Sequence, residues 1–384
     1  MSTAALVTFW LSVGVILYVY VGYPLLLALI ALVRKPVKLA DPDTWPSVTL
    51  LITAYNEQAN IAAKLDNALA LDYPPDRCQI LVASDGSTDD TDAIVRRYAD
   101  RGVELLRVEG RVGKTQTQNE AMPHARGEIV VFTDADAMFD ADAIKQLVRH
   151  FQRPAVGCVE GRRCDRAADA TTAAPNELLF RDYESLVKRL ESRVYSCVGA
   201  VGPIMAIRRE LYVPLHPDDC SDLIEPMAIM LAHGRRQVFE PRARSRELVL
   251  GRVSSEFRRK IRVITDSLAS LWRYRAVMNP FRTGVYAWQV VSHRFLRWIL
   301  PLFLALALLS NALLVQQPVY GALMGLQLLF YGSALLGALL ERFGIGHALL
   351  RAPYFFCAAN AASLVSVFNC LLGRKYVRWD TART

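Results

Sequence analysis

Thirty consecutive residues near the N-terminus, Ala4 to Val33, carry no charge. A bilayer crossing takes roughly 20 apolar residues, so this stretch is long enough to span. It lacks the basic leading segment of a secretory signal and exceeds one in length. Arg34, Lys35 and Lys38 follow at once. By the positive-inside rule they put the N-terminus outside and the next domain in the cytoplasm. Three more apolar stretches of spanning length lie at the other end: Leu296 to Val315, Val319 to Leu340 and Pro353 to Leu372. One leading and three trailing spans place the C-terminus outside, yet Arg374, Lys375, Arg378 and Arg383 in the tail argue for the inside. One of the later segments is then re-entrant or interfacial, or the count is wrong.

Between the flanks the composition is that of a soluble domain. Ser47–Thr53, Gln79–Ala83, Val103–Val108 and Glu128–Thr133 are short apolar runs that read as buried strands. Helical patterns over Glu57–Leu69, Asp89–Tyr98 and Gly113–His124 alternate with them. This alternation predicts an α/β domain whose parallel sheet is covered by helices, with ligands at the carboxyl ends of the strands. The net charge of +8 suits anionic lipid or a phosphate-bearing substrate; with such long apolar runs, no nucleic-acid partner is expected. Seven scattered cysteines, with no C-x-x-C pair, fit reduced thiols rather than a disulfide framework.

The strand ends carry the polar groups. The first ends in Thr53-Ala54-Tyr55-Asn56-Glu57, the second in Ser84-Asp85-Gly86-Ser87-Thr88-Asp89, and the fourth in Thr133-Asp134-Ala135-Asp136. Asp134 and Asp136, two apart in extended chain, point to one side. Two hard oxygen ligands on one side suit Mg²⁺ or Mn²⁺ together with substrate phosphates. Asp85 to Asp89 also reads as a turn and helix cap. Gly110 to Lys114 lacks the spacing of a phosphate loop, but Lys114 at a helix start is placed to meet a phosphate.

Together these segments resemble glycosyltransferase family 2, with its GT-A fold. The resemblance runs from about Pro46 to Arg275 through T-A-Y-N-E, S-D-G-S-T-D, G-K-T-Q-T-Q-N at Gly113–Asn119, T-D-A-D, G-P-I-M-A-I-R-R-E-L at Gly202–Leu211, and the S-D ending at Asp222. It implies that Ala54, Tyr55 and Glu57 line the base and ribose of a nucleotide-sugar, and that Asp85 contacts the base, usually uracil. It further implies that Lys114 lies near base or diphosphate, and that Asp134 and Asp136 serve the ribose and the divalent metal. The general base of an inverting transferase in this family is an acid in an E-D or D-D pair. The match here is Asp222, preceded by Ser221 instead of an acid, which leaves Asp219 or Glu225 as alternatives.

The expected architecture is a membrane segment over 1–33, a GT-A domain over 46–253, an interfacial amphipathic region over 254–294, spans within 295–372 and a basic tail over 373–384. Processive relatives carry Q-x-x-R-W in the interfacial region. Arg259, Arg262 and Val263 stand there instead, which favours one sugar per acceptor over polymer synthesis with translocation, and leaves the two arginines for diphosphate or lipid. The expected function is inverting transfer from a UDP-sugar to a lipid-linked or glycan acceptor at the bacterial inner membrane, in polysaccharide or envelope assembly. The rival from another class is a non-catalytic membrane scaffold with a degenerate nucleotide-binding domain.

Overall fold

The structure is a computed structural model and describes residues 2–35, 37, 39–167, 174–199, 202–249, 253–343 and 348–374. The basic tail from 375 onward therefore lies outside the described residues, as does Lys38.

The chain enters on α1 (Thr3–Leu17), passes through a π-helical turn at Tyr18–Gly22 and continues as α2 (Tyr23–Leu32). Then come β1 (Val48–Ala54), α3 (Ile61–Leu69), β2 (Cys78–Asp85), α4 (Thr91–Arg96), β3 (Val103–Val108), α5 (Lys114–Ala121) and β4 (Ile129–Asp134). After them lie β5 (Met138–Phe139), α6 (Ala143–Val148), β6 (Val156–Ala167), α7 (Ala174–Val194), β7 (Met205–Arg208), α8 (Ser221–His233) and β8 (Arg236–Val249). The C-terminal part is helical: α9 (Val253–Arg273), α10 (Pro280–Thr283), α11 (Val285–Val290), a second π-helical turn at Val291–Phe295, α12 (Leu296–Ala312), α13 (Pro318–Arg342) and α14 (Ala348–Leu371).

All four expected strands form, within a residue or two of the predicted bounds. The sheet has eight strands in the order β3-β2-β1-β4-β7-β6-β8-β5. The sheet is mixed rather than wholly parallel as predicted: β3, β2, β1 and β4 run parallel, as do β6 and β8, whereas β7 pairs antiparallel with both β4 and β6 and β5 antiparallel with β8. The change of direction is physical in origin. The chain runs from β6 through the long helix α7 into β7, which lies between β4 and β6 and runs opposite to both. Leu50, Leu51 and Ile52 of β1 are fully buried, because helices cover both sheet faces. Each such side chain contributes about 1.5–3 kcal/mol on burial.

Four helices are long and apolar enough to cross a membrane: Thr3–Leu32, Val285–Ala312, Pro318–Arg342 and Leu349–Leu371. The second begins at Val285, within the stretch expected to be interfacial, because α11 docks on α8. Tyr286, Val290 and Trp298 pack there with Leu223, Ile224 and Met227. On the other side α2 packs along α7 through Tyr23, Leu27, Ala31, Val187 and Val194. The two π-helical turns meet: Tyr18 Oη lies 2.7 Å from Ser292 Oγ and accepts from Trp288 Nε1 at 2.7 Å. Beside them is a buried polar cluster. His293 places Nδ1 2.8 Å from Glu191 and Nε2 3.3 Å from Glu184. Tyr23 donates to Glu191, and Arg297 pairs with Glu184. Buried charges persist only when paired and hydrogen-bonded in this way.

Helix α8 also buries Glu225, whose Oε1 accepts from Val213 N at 3.4 Å. Burial pushes its pKa up to about 8 from an ordinary 4.5. The folded protein thus holds a proton that the unfolded chain releases, and stability falls as pH rises through that window, by about 1.4 kcal/mol per unit at most. Glu225→Gln is expected to raise the melting temperature at pH 8.5 and to leave it nearly unchanged at pH 4.5, measured by thermal unfolding in detergent.

Candidate active site

The site forms where the carboxyl ends of β1, β2 and β4 meet the N-terminal ends of α5 and α8. Two loops build the nucleotide side. Asn56, at φ 51°, takes a left-handed conformation that asparagine tolerates, and its Oδ1 accepts from Thr88 N at 2.8 Å. Asn56 N donates to Ser87 Oγ at 3.1 Å. The T-A-Y-N-E and S-D-G-S-T segments are thus laced together. Gly86 has φ 64° and sits against the Gly110 carbonyl, so a side chain there would collide with backbone. Asp85 accepts from Val112 N at 2.7 Å and Gly113 N at 3.0 Å, which fixes the loop leading into α5. The Arg111 guanidinium stacks over the Tyr55 ring at 4.2 Å. Ala54 is buried at the end of β1, and Glu57 accepts from Asn60 Nδ2 at 2.7 Å.

Lys114, first residue of α5, reaches the centre of the site. Its Nζ lies 2.8 Å from Asp134 Oδ1 and 3.2 Å from Asp222 Oδ1. Burial works against the ammonium, but the two carboxylates outweigh it and hold the Lys114 pKa above the ordinary lysine value. Burial also raises Asp134, opposed by Lys114 and reinforced by the neighbouring Asp222 and Asp136. Asp222 occupies the first turn of α8, and Gly202 leaves the space its carboxylate fills, since a Cβ there would overlap it. The two alternative bases face elsewhere. Asp219 pairs with Arg273 and accepts from His216 N at 3.1 Å; Glu225 is buried beside Val213.

Asp134, Asp136 and Glu247 can bring one carboxylate oxygen each within 4.8 Å of one another. Glu247 Oε2 pairs with Arg163 at 2.8 Å, while its buried Oε1 has no hydrogen-bond partner among the described residues. Three converging carboxylates and an unsatisfied buried oxygen are a donor set for a hard divalent cation. Burial lifts the Glu247 pKa to about 7 against the pull of Arg163, with Asp136 and Asp134 adding to the rise. Arg259 is close enough for its charge to act on Glu247; Arg262 lies three residues on along α9, half-buried.

Residues 49–213 match the family model for glycosyl transferase family 2. The chain carries a glycosyltransferase family 2 domain. The chain is 32% identical over 134 residues to the beta-monoglucosyldiacylglycerol synthase of Synechocystis sp., covering 33% of this chain and 28% of that protein. An N-acetylglucosaminyltransferase of Rhizobium sp. is 27% identical over 244 residues, 58% of this chain and 53% of the relative. Among solved structures, a mannosyltransferase from Pyrobaculum calidifontis in complex with GDP-Man and Mn²⁺ superposes with a TM-score of 0.70 at 25% identity, over 96% of this chain and 100% of that one. The chain spans under a third of the length of the glucolipid synthase and about half that of the N-acetylglucosaminyltransferase. The family 2 domain has the GT-A fold expected from its motifs.

Three residues of the candidate site escaped the sequence reading. Glu247 comes from β8 and reaches the cluster only through the long-range pairing of β6 with β8, in which Asp165 stands opposite Glu247; nothing local marks it. Arg111 lay in a loop read mainly for Lys114. Lys64 did leave a signal, a lysine on the apolar stripe of α3 with Ile61, Leu65 and Ala68, all buried. Its Nζ donates to Thr133 Oγ1 at 2.9 Å and to the Ala137 carbonyl, gripping the D-x-D turn from both sides. Burial lowers its pKa to about 7, opposed by Asp134, Asp136 and Glu247. Lys64→Met removes both the grip and the cation beneath three carboxylates. The metal-free variant is expected to lose about 1–3 kcal/mol of stability, and Mn²⁺ to raise its melting temperature more than it raises the parent's, as read by thermal shift.

Proposed function

We propose that this chain is an inverting glycosyltransferase that moves one sugar from a nucleotide-sugar, UDP-linked, to a hydroxyl of a lipid-borne acceptor at the membrane surface. The observation that carries the reading is the Lys114 bridge. It brings the proposed base Asp222 to the same cation as Asp134, so base and diphosphate side face one another across a single side chain. The lipid acceptor is supported by the apolar helices flanking the domain and by the glucolipid synthase among its relatives. The proposed setting is the bacterial inner membrane with the catalytic domain in the cytoplasm, on the strength of Arg34 and Lys35 after the first span.

In this reading Tyr55, Asp85 and Arg111 receive the nucleotide, with Ala54 and Glu57 closing its base and ribose side. A Mg²⁺ or Mn²⁺ ion held by Asp134, Asp136 and Glu247 would supply charge neutralisation at the diphosphate. The acceptor oxygen attacks the anomeric carbon from the face opposite the diphosphate, its proton passes to an Asp222 carboxylate oxygen, and the bond from carbon to diphosphate oxygen breaks. Lys114 then exchanges part of its contact with Asp222 for the negative charge growing on the leaving group. Arg259 adds positive charge on the same side. The product carries one inverted glycosidic bond, and one nucleoside diphosphate leaves.

Asp222→Asn is expected to lower turnover by roughly 10²–10⁴-fold, the usual worth of a general base, with donor affinity in Mn²⁺ unchanged within about threefold. The assay is nucleotide release from UDP-glucose, UDP-N-acetylglucosamine and GDP-mannose by purified enzyme, with and without diacylglycerol or a membrane lipid extract. Chelation should abolish release and Mn²⁺ or Mg²⁺ restore it. No release from any donor under either metal, or full activity in the Asn variant, would defeat the proposal.

A further inference from the structure

We propose that Arg294, in the π-helical turn that leads into α12, is a positioning residue for Asp222, given that Asp222 is the base of the proposed transfer. It holds the loop 198–202 against the first turn of α8 and so sets where the carboxylate stands.

Val198, at the start of that loop, is gripped by both of its backbone polar groups. Its N–H donates to Glu191 Oε2 at 3.1 Å. Its carbonyl accepts twice from Arg294, from Nη2 at 2.9 Å and from Nε at 3.2 Å. Glu191 is in turn met by His293 Nδ1 at 2.8 Å. Two adjacent residues of one helical turn thus hold Val198, His293 through Glu191 and Arg294 directly. Hydrogen bonds that involve an ionised group are roughly twice as strong as neutral ones. The irregular turn is part of the device. Leu296 N bonds the Val291 carbonyl, five residues back, which is the spacing of a π-bulge, a feature frequent at functional sites. The turn is itself fixed, because Ser292 and Trp288 both meet Tyr18.

From this grip the loop runs to the base. Gly199 has φ 76°, and a Cβ there would lie 2.7 Å from Arg294 Nη2 and 2.8 Å from Leu223 Cδ1. Guanidinium, loop and the first turn of α8 therefore meet at one point. Further along, a Cβ on Gly202 would overlap Asp222 Oδ2. The loop thus touches α8 twice, at Leu223 and at its neighbour Asp222. Both contacts are made by glycine backbone, which cannot give way by changing rotamer. On its other side the Asp222 carboxylate faces Lys114 at 3.2 Å. The base is then set between a cation carried by α5 and a loop held by Arg294.

This separates two functions of the site. Neither Arg294 nor Val198 belongs to the loops after β1 and β2 or to the Asp134–Asp136 turn, so donor and metal binding are expected to stand when the grip is cut. The placement of the base is expected to fail, and a misplacement of about 1 Å is enough to slow a reaction roughly 10²-fold.

The test is a double-mutant cycle in the full-length protein. The readout is single-turnover transfer to a membrane lipid extract, and UDP affinity in Mn²⁺ checks that the site is folded. Arg294→Gln is expected to lower the transfer rate of the parent by roughly 10- to 10²-fold. Its KM for the donor is expected to stay within about twofold of the parent's, as for independent sites. Arg294→Lys keeps one donor for the Val198 carbonyl and is expected to recover part of the loss. In the Asp222→Asn background, Arg294→Gln is expected to slow transfer less than about twofold, because the base it positions is gone. Equal losses in both backgrounds, or no loss in the parent, overturn the inference and leave Asp222 as the base. Full activity of Asp222→Asn alone overturns the base assignment and the inference with it. If Arg294→Gln fails to bind UDP, Arg294→Lys takes its place in the cycle and the same comparison decides.

Discussion

One ammonium group organises the catalytic end of the sheet. Lys114 meets carboxylates from two distant parts of the chain, Asp134 at the end of β4 and Asp222 at the start of α8. Without a cation between them, these half-buried carboxylates would repel one another. The requirement propagates outward. Lys114 reaches that point because α5 starts there, and α5 starts there because Asp85 holds the preceding loop by two backbone N–H groups. Gly86 and Gly202 supply the close approaches on either side. The loops after β1 and β2, the Asp134–Asp136 turn and helix α8 are thus brought into register by a single charge, and in the proposed reading a donor diphosphate would compete for that same charge.

The sequence made the local elements legible and the distant pairings illegible. Strands β1 to β4 announced themselves as continuous apolar runs because both sheet faces are covered. The polar residues at their ends were found for the same reason, since open α/β sheets bind ligand there. The antiparallel strand β7 was not read, because its direction depends on which strands α7 returns it between. Glu247 is the clearest loss at the site. It stands in an arginine-rich segment without a motif, and only the β6–β8 register carries it to Asp134 and Asp136. Lys64 could have been caught from its place on the apolar stripe of α3.

The catalytic domain does not hang from its membrane helices by loose linkers. The first helix runs past its π-helical turn and continues for the ten residues of α2 against α7, and α11 is sunk into α8 before its chain reaches the apolar bundle. Between them the cluster of Tyr23, Glu184, Glu191, His293 and Arg297 joins α2, α7 and the helix descending from α11. Such a joint, buried and charge-balanced, opposes hinge motion because any opening would strand a charge.

A mount of this stiffness works as a gauge. The ten residues of α2 alone lay about 15 Å of apolar helix along α7, so the height of the domain against the lipid is held rather than adjustable. Selection among acceptors would then rest on reach as well as on chemistry. A hydroxyl lying flush with the lipid headgroups and one raised on a longer head would arrive at different heights, and only the height matched to Asp222 would meet the proposed base.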